Sequence, residues 1–214
     1  QAPEPTKADT KTTPPQSTQA ESEPAKTRDD TSALGRGPTA LLLAGLLPAP
    51  VPGEEVTLVP VSYDQFRAHL AANRAKAKYT LVDAWASDCA PCKENFPHLI
   101  AMHRKYGPQG LAVVSLTLDD PEDAKAVAKA KQFLQEQKAT FTNFLMNEEA
   151  GVGYEKLNIN AIPAVFVFGP DGKEVQRFTM DDPDNQFTYE EVDRYVDALL
   201  KGKPLPPEKG RSSR

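Results

Sequence analysis

The two cysteines of this chain, Cys89 and Cys92, stand two residues apart in Trp85-Ala-Ser-Asp-Cys-Ala-Pro-Cys92. An apolar, β-prone run, Tyr79-Thr-Leu-Val-Asp-Ala-Trp85, precedes them and a helical pattern follows. The pair therefore sits where a strand gives way to a helix. Free backbone N–H groups and the helix dipole at such a start stabilise an anion, which favours a thiolate at the first cysteine near neutral pH. A thiolate beside a second thiol is the minimum equipment for thiol–disulfide exchange.

Other uses of the pair fit less well. A structural zinc ion takes four ligands, and His98 and His103 both fall on the helix that carries Cys92. One helix bearing three ligands does not easily wrap a tetrahedral ion. A purely structural disulfide would close a very short loop and restrain the unfolded chain little. Copper would need a third ligand that the sequence does not offer. No metal is expected, and no cofactor beyond the redox-active Cys89–Cys92 disulfide itself.

The elements that must position the pair are legible in the pattern of the chain. Val56 to Val61 reads as a first strand, and Ser62 with Gln65 as a capping box opening a helix whose Tyr63, Phe66 and Leu70 share one face. Tyr79 to Trp85 is a central strand. The helix after Cys89 runs towards Tyr106, with Pro97 expected to bend it. Leu111 to Leu118 is a buried strand, and the next helix is expected to start at Asp119-Asp-Pro121 and reach about Lys138. Phe141 to Met146 reads as a short strand or extended connection, and Glu148–Leu157 as a short helix. Ala164 to Phe168, the turn Gly169-Pro-Asp-Gly172, and Glu174 to Phe178 make a β-hairpin. A last helix starts at Thr188, capped through Glu191, and buries Val192, Tyr195, Val196 and Leu199. The pattern is α/β, a central mixed β-sheet flanked by helices on both faces.

The flanks differ in composition. Residues 1–38 are rich in Pro, Thr, Ser, Glu and Lys, and the first aromatic residue of the chain is Tyr63. Such a segment cannot bury enough apolar surface to offset its ordering entropy, so it is expected to be a disordered tail. Residues 39–53 form an apolar, proline-rich connector, 54–202 the domain, and 203–214 a flexible basic tail. Ala40-Leu-Leu-Leu-Ala-Gly-Leu-Leu47 is well short of the roughly 20 residues that span a bilayer. It reads as a segment docking on the domain, with loose partner binding as the alternative. The chain starts with Gln1, which leaves a removed leader and a trimmed sequence as alternatives. A net charge of −5 argues against a nucleic-acid partner. The lack of cysteines outside the pair suits an oxidising compartment.

Several ordered motifs resemble the thioredoxin superfamily: Leu81-Val-Asp-Ala-Trp-Ala86, Cys89-Ala-Pro-Cys92-Lys93, and Ile162-Pro163 ahead of a strand and hairpin. The run Lys93-Glu94-Asn-Phe-Pro97 and the insertion before Pro163 are more similar to the extracytoplasmic thiol–disulfide oxidoreductases of the TlpA/ResA type. The resemblance covers roughly residues 54 to 202 and implies a thioredoxin-like fold. It implies that Cys89 attacks a substrate disulfide and Cys92 resolves the mixed disulfide. It also implies that Asp83 lies buried behind the cysteines and helps take the proton of the resolving thiol; a solvent-facing Asp83 at a strand end is the alternative. Pro163 would be a cis-proline, and Trp85, Ala90, Pro91, Ile162 and Pro163 would shape the substrate groove. Partners would be disulfide-containing protein substrates and an upstream electron donor, possibly membrane-bound, with the protein a monomer in the bacterial periplasm or envelope.

Departures from that pattern bear on direction. Asp88 replaces the usual aromatic residue before the first cysteine, and a carboxylate there would disfavour the Cys89 thiolate unless it is turned away as a cap. The family's lysine near the buried aspartate has no clear counterpart; the strand ends at Asp119 instead. His69, His98 and His103 read as helix-surface residues without a role, and Glu94 as a solvated one. Ile162 and Asp83 lean towards reduction, as does Asp88, and these residues point to a disulfide reductase, with an oxidase or isomerase and a non-catalytic adaptor as alternatives.

Overall fold

The computed structural model describes residues 55–73, 76–149 and 151–206. The tail expected over 1–38, the connector over 39–53 with Ala40–Leu47, and residues 207–214 of the basic tail lie outside them. Among the described residues six strands form one sheet: β1 (Val59–Val61), β2 (Tyr79–Trp85), β3 (Leu111–Thr117), β4 (Thr142–Met146), β5 (Ala164–Phe168) and β6 (Glu174–Phe178). Their order is β1-β4-β3-β2-β5-β6. The first four of that order pair in parallel, whereas β5 and β6 pair antiparallel. The sheet is mixed, as its sequence pattern required.

Five helices, α1 (Tyr63–Ala72), α2 (Ala90–Tyr106), α3 (Ala124–Glu136), α4 (Val152–Leu157) and α5 (Tyr189–Leu200), accompany the sheet in the described residues. Strand β2 is buried on both faces, which explains its near-continuous apolar run. Val82 and Ala84 meet Phe66 and Leu70 of α1 and Leu157 of α4. Leu81 and Trp85 meet the opposite layer, with Phe96 and Leu99 of α2, Leu134 of α3, and Val192 and Val196 of α5. Burial of these side chains, each worth about 1.5–3 kcal/mol, holds α2 against the sheet.

Local chemistry fixes the helix ends. Capping boxes at Ser62–Gln65 and Thr188–Glu191 satisfy the first N–H groups of α1 and α5, as expected from their spacing. In the hairpin, Gly172 adopts φ +74°, and a Cβ there would lie 3.1 Å from the Cα of Ala71, so glycine is required for both reasons. Helix α2 runs continuously through Pro97.

Several expected boundaries move. Strand β1 spans Val59–Val61 rather than Val56–Val61, because only these three residues pair with β4. Upstream, the Thr57 carbonyl accepts instead from the Asn143 side chain, while Val56 and Leu58 pack on the core. Strand β3 ends at Thr117, one residue early. Helix α3 starts at Ala124 rather than at Asp119-Asp-Pro121, since Asp123 caps the Lys125 and Ala126 N–H groups, whereas Asp119 turns inward and Asp120 accepts from Glu122 N–H. Helix α4 begins at Val152 rather than Glu148, whose carboxylate instead accepts the Tyr63 N–H at 2.8 Å.

Candidate active site

Strand β2 delivers the chain to the cysteine pair, and α2 begins directly after Cys89. Cys89 is itself the N-cap of α2: its Sγ accepts the Cys92 backbone N–H at 3.2 Å. The N–H donated by Cys92 and the helix dipole favour negative charge at this position. The two sulfurs form a disulfide, with S–S 2.01 Å and Cα–Cα 5.3 Å. Their environments differ. Cys92 is 1 % exposed and packs among Trp85, Phe96 and Leu99, whereas Cys89 is half-buried, with Ala90 and Pro91 exposed beside it.

The Ile162–Pro163 bond is cis, and the Cys89 Sγ lies 3.9 Å from the Ile162 carbonyl oxygen. The loop carrying that carbonyl is tied down by Asp181, whose Oδ1 accepts the Asn160 and Ala161 N–H groups at 2.8 and 3.2 Å. Behind the pair, the rings of Trp85, Phe96 and Phe133 lie 5.1–5.4 Å apart, so Trp85 is a core residue that also touches the cysteine cluster.

Asp83 lies mid-strand, 1 % exposed, so it does not face solvent at a strand end. Alternation along β2 aims it into the layer of Leu81 and Trp85, the layer that also holds Cys92. Its Oδ2 accepts the Tyr189 hydroxyl at 2.7 Å, and its Oδ1 is buried without a partner. Burial raises its pKa to about 7, the single hydrogen bond from Tyr189 acting in the opposite sense. Asp83 and Asp119 are the only buried charged residues among those described. Among the described residues no lysine or arginine is buried, so none stands against Asp83.

Asp119 and Asp88 take unexpected roles. Asp119 accepts from the Ser87 backbone at 3.0 and 3.1 Å, from the Ser87 hydroxyl at 2.8 Å, and from the Thr117 hydroxyl. It thus clamps the loop two residues before Cys89. Asp88 is not the cap; it is exposed and pairs with Lys129 of α3 at 3.0 Å. Glu94 is exposed, as expected.

The histidines are not plain surface residues. His69 and His103 are half-buried, their rings edge-on to Phe144 and Phe141, and burial lowers both pKa values. His98 stacks on Tyr189 at 5.8 Å. Sequence reasoning missed Tyr189, Asp119 and Lys129; no local signal marks them, since each reaches its partner across the fold. Among the described residues, no group of three or more His, Cys, Asp or Glu could hold a metal ion.

A family model described as "Thioredoxin-like" matches residues 76–174. A thioredoxin-like protein solved in solution in its oxidized form is 22 % identical, over 70 % of this chain and 87 % of that one, with a TM-score of 0.51. The fold is thioredoxin-like. The thioredoxin-like domain is also similar to the thiol-disulfide oxidoreductase ResA of Bacillus subtilis, 22 % identical over 49 % of this chain and 54 % of that protein. The thiol:disulfide interchange protein HelX of Rhodobacter capsulatus is 25 % identical over 61 % of this chain and 66 % of its own length. The chain thus spans about half to two thirds of the length of these relatives.

Proposed function

We propose that this chain is a thiol–disulfide oxidoreductase that reduces disulfides of protein substrates through Cys89 and Cys92. The observation that carries the reading is the asymmetry of the pair: one sulfur caps a helix at the surface, the other is buried one turn further in. A thiolate on Cys89 attacks a substrate sulfur, forming a Cys89–substrate disulfide and releasing the other substrate sulfur. Cys92 loses its proton to Asp83 and attacks Cys89. The Cys89–Cys92 bond forms, the mixed disulfide breaks, and two electrons have passed from the pair to the substrate.

An extended substrate segment would lie along Ala90, Pro91, Ile162 and Pro163, beside the edge of the site backed by Trp85. The reducing direction is supported by the Asp88 carboxylate next to Cys89 and by the lack of a buried cation near Asp83, both of which disfavour the dithiol's anionic form. An upstream donor must then return electrons to the pair. A bacterial extracytoplasmic setting is supported by the resemblance to the TlpA/ResA type and by the absence of any cysteine beyond the pair. The domain is read as residues 54–202, acting as a monomer.

Replacing Cys89 by Ser tests the reading, with reduction of insulin disulfides as the assay. The expected result is complete loss of turnover, while Cys92→Ser accumulates a mixed disulfide through Cys89 that mass spectrometry detects. Turnover that survives Cys89→Ser overturns the assignment.

A further inference from the structure

We propose that Tyr189 is a positioning residue for proton transfer at Asp83: its hydroxyl holds Oδ2 and leaves Oδ1 as the atom that receives the proton of the Cys92 thiol. The proposal rests on the reading of Cys92 as the resolving cysteine. The hydroxyl reaches Oδ2 at 2.7 Å from a residue 106 positions away, and Oδ1 has no hydrogen-bond partner although it is buried. A carboxylate tethered at one oxygen presents the other in a fixed direction, which is what a proton acceptor needs.

The phenol is itself held firmly. Tyr189 is 2 % exposed and is the first residue of α5, enclosed by the Thr188–Glu191 capping box. Its ring meets Phe187 at 5.5 Å and stacks on His98 of α2 at 5.8 Å. The helix that carries Cys92 and the helix that carries Tyr189 therefore fix the donor together. Burial and the nearby Asp83 charge push the Tyr189 pKa well above its ordinary value, so Tyr189 remains a donor while Asp83 titrates.

The ionisable groups around Asp83 are few. Tyr189 approaches from α5, and α2 brings Cys92 into the core layer towards which Asp83 is aimed, with His98 one ring removed and its Nε2 3.9 Å from the exposed Glu190. On the neighbouring strands the register places Ser115 of β3 and Val165 of β5 beside Asp83, both uncharged. The Ser115 hydroxyl is already committed to Asn143 at 2.8 Å. Among the described residues Tyr189 is the donor on the carboxylate, while the Trp85 Nε1–H of the same strand face is buried without a partner.

In the step itself the Cys92 S–H bond breaks and its proton moves to Oδ1. The thiolate attacks the Cys89 sulfur of the mixed disulfide, the Cys89–Cys92 bond forms, and the substrate sulfur leaves as a thiolate. A hydrogen bond donated to the ionised carboxylate favours that form, so loss of the hydroxyl makes Asp83 a base only at higher pH.

The test is a carbon-13 titration of Asp83 in the reduced protein and in Tyr189→Phe, run beside the pH profile of insulin reduction. Circular dichroism establishes that the variant is folded. The expected result is a rise of about one pH unit in the Asp83 midpoint, with the activity profile moving alkaline by the same amount. In an Asp83→Asn background the same substitution should leave the profile unchanged. An unmoved Asp83 midpoint overturns the proposal, as does a moved midpoint with an unmoved activity profile. Loss of activity without an alkaline shift marks a merely structural role and overturns it too. A wild-type protein that reduces no disulfide at any pH overturns the proposed function and this inference together, whereas the other outcomes spare the function.

Discussion

Asp83 and Asp119 are both buried carboxylates, one inside β2 and one just past β3, yet they are furnished in opposite ways. Asp119 accepts hydrogen bonds from three groups, the Ser87 backbone, the Ser87 hydroxyl and the Thr117 hydroxyl. Asp83 has one donor, Tyr189, and one oxygen with none. A carboxylate surrounded by donors is a fastener, since its removal strands every donor. A carboxylate with one donor and deep burial is poised to exchange a proton, and its pKa of about 7 places that exchange in the neutral range. The fastener holds the loop that leads to Cys89; the poised group lies in the layer that holds Cys92.

Substitution of Asp83 sharpens the contrast most. With Asp83→Asn, insulin reduction at neutral pH is expected to fall on the order of 100-fold, the usual scale of a lost general base. Stability should move the other way. A folded-state pKa raised from 3.8 to about 7 means that the native protein holds the proton more tightly than the unfolded chain. The contribution of Asp83 to stability is therefore fully present below pH 4 and is lost as pH rises through 7, by up to about 4 kcal/mol. Asp83→Asn should be more stable than wild type at pH 8 and show little gain at pH 4, as read by urea unfolding.

Asp119→Ala should do the reverse. Stranding the Ser87 and Thr117 donors is expected to lower stability by about 2–4 kcal/mol. If Asp119→Ala stabilised the protein at pH 8 as Asp83→Asn does, the distinction between fastener and poised group would collapse.

The surface pair Lys129–Asp88 gives the smallest effect. Both groups are exposed, so Lys129→Ala should leave the melting temperature unchanged. It frees the Asp88 charge next to Cys89, and the reduction potential should become slightly more negative at low ionic strength, the shift vanishing in about 1 M salt.

The sequence disclosed the parts of this arrangement that local chemistry determines. Ser62–Gln65 and Thr188–Glu191 spell their capping boxes within four residues, and the strand-to-helix join places Cys89 at a helix start. An aspartate in an apolar run leaves burial and a solvent-facing strand end both open, and for Asp83 the family resemblance favours burial. What failed was choice among equivalent local signals. Asp119, Asp120 and Asp123 all qualify as helix caps, and only the tertiary hydrogen bonds to Ser87 withdraw Asp119 from the competition. Long-range partners were invisible for the same reason. The Tyr189–Asp83 bond joins residues 106 apart and the Ser87–Asp119 clamp joins residues 32 apart, so neither leaves a spacing to read. His98, which carried no signal in the sequence, acquires its neighbour Tyr189 only when α2 and α5 pack side by side.

The reduction potential of the Cys89–Cys92 pair tests the central reading most directly. Trp85, the chain's one tryptophan, is buried in the same cluster as Cys92 and reports the state of the pair by fluorescence during equilibration in dithiothreitol buffers. A single two-electron transition near the thioredoxin value of about −270 mV is the expected result. A potential near −120 mV would make the protein an oxidant and contradict the proposed direction. The absence of any transition would contradict redox function altogether.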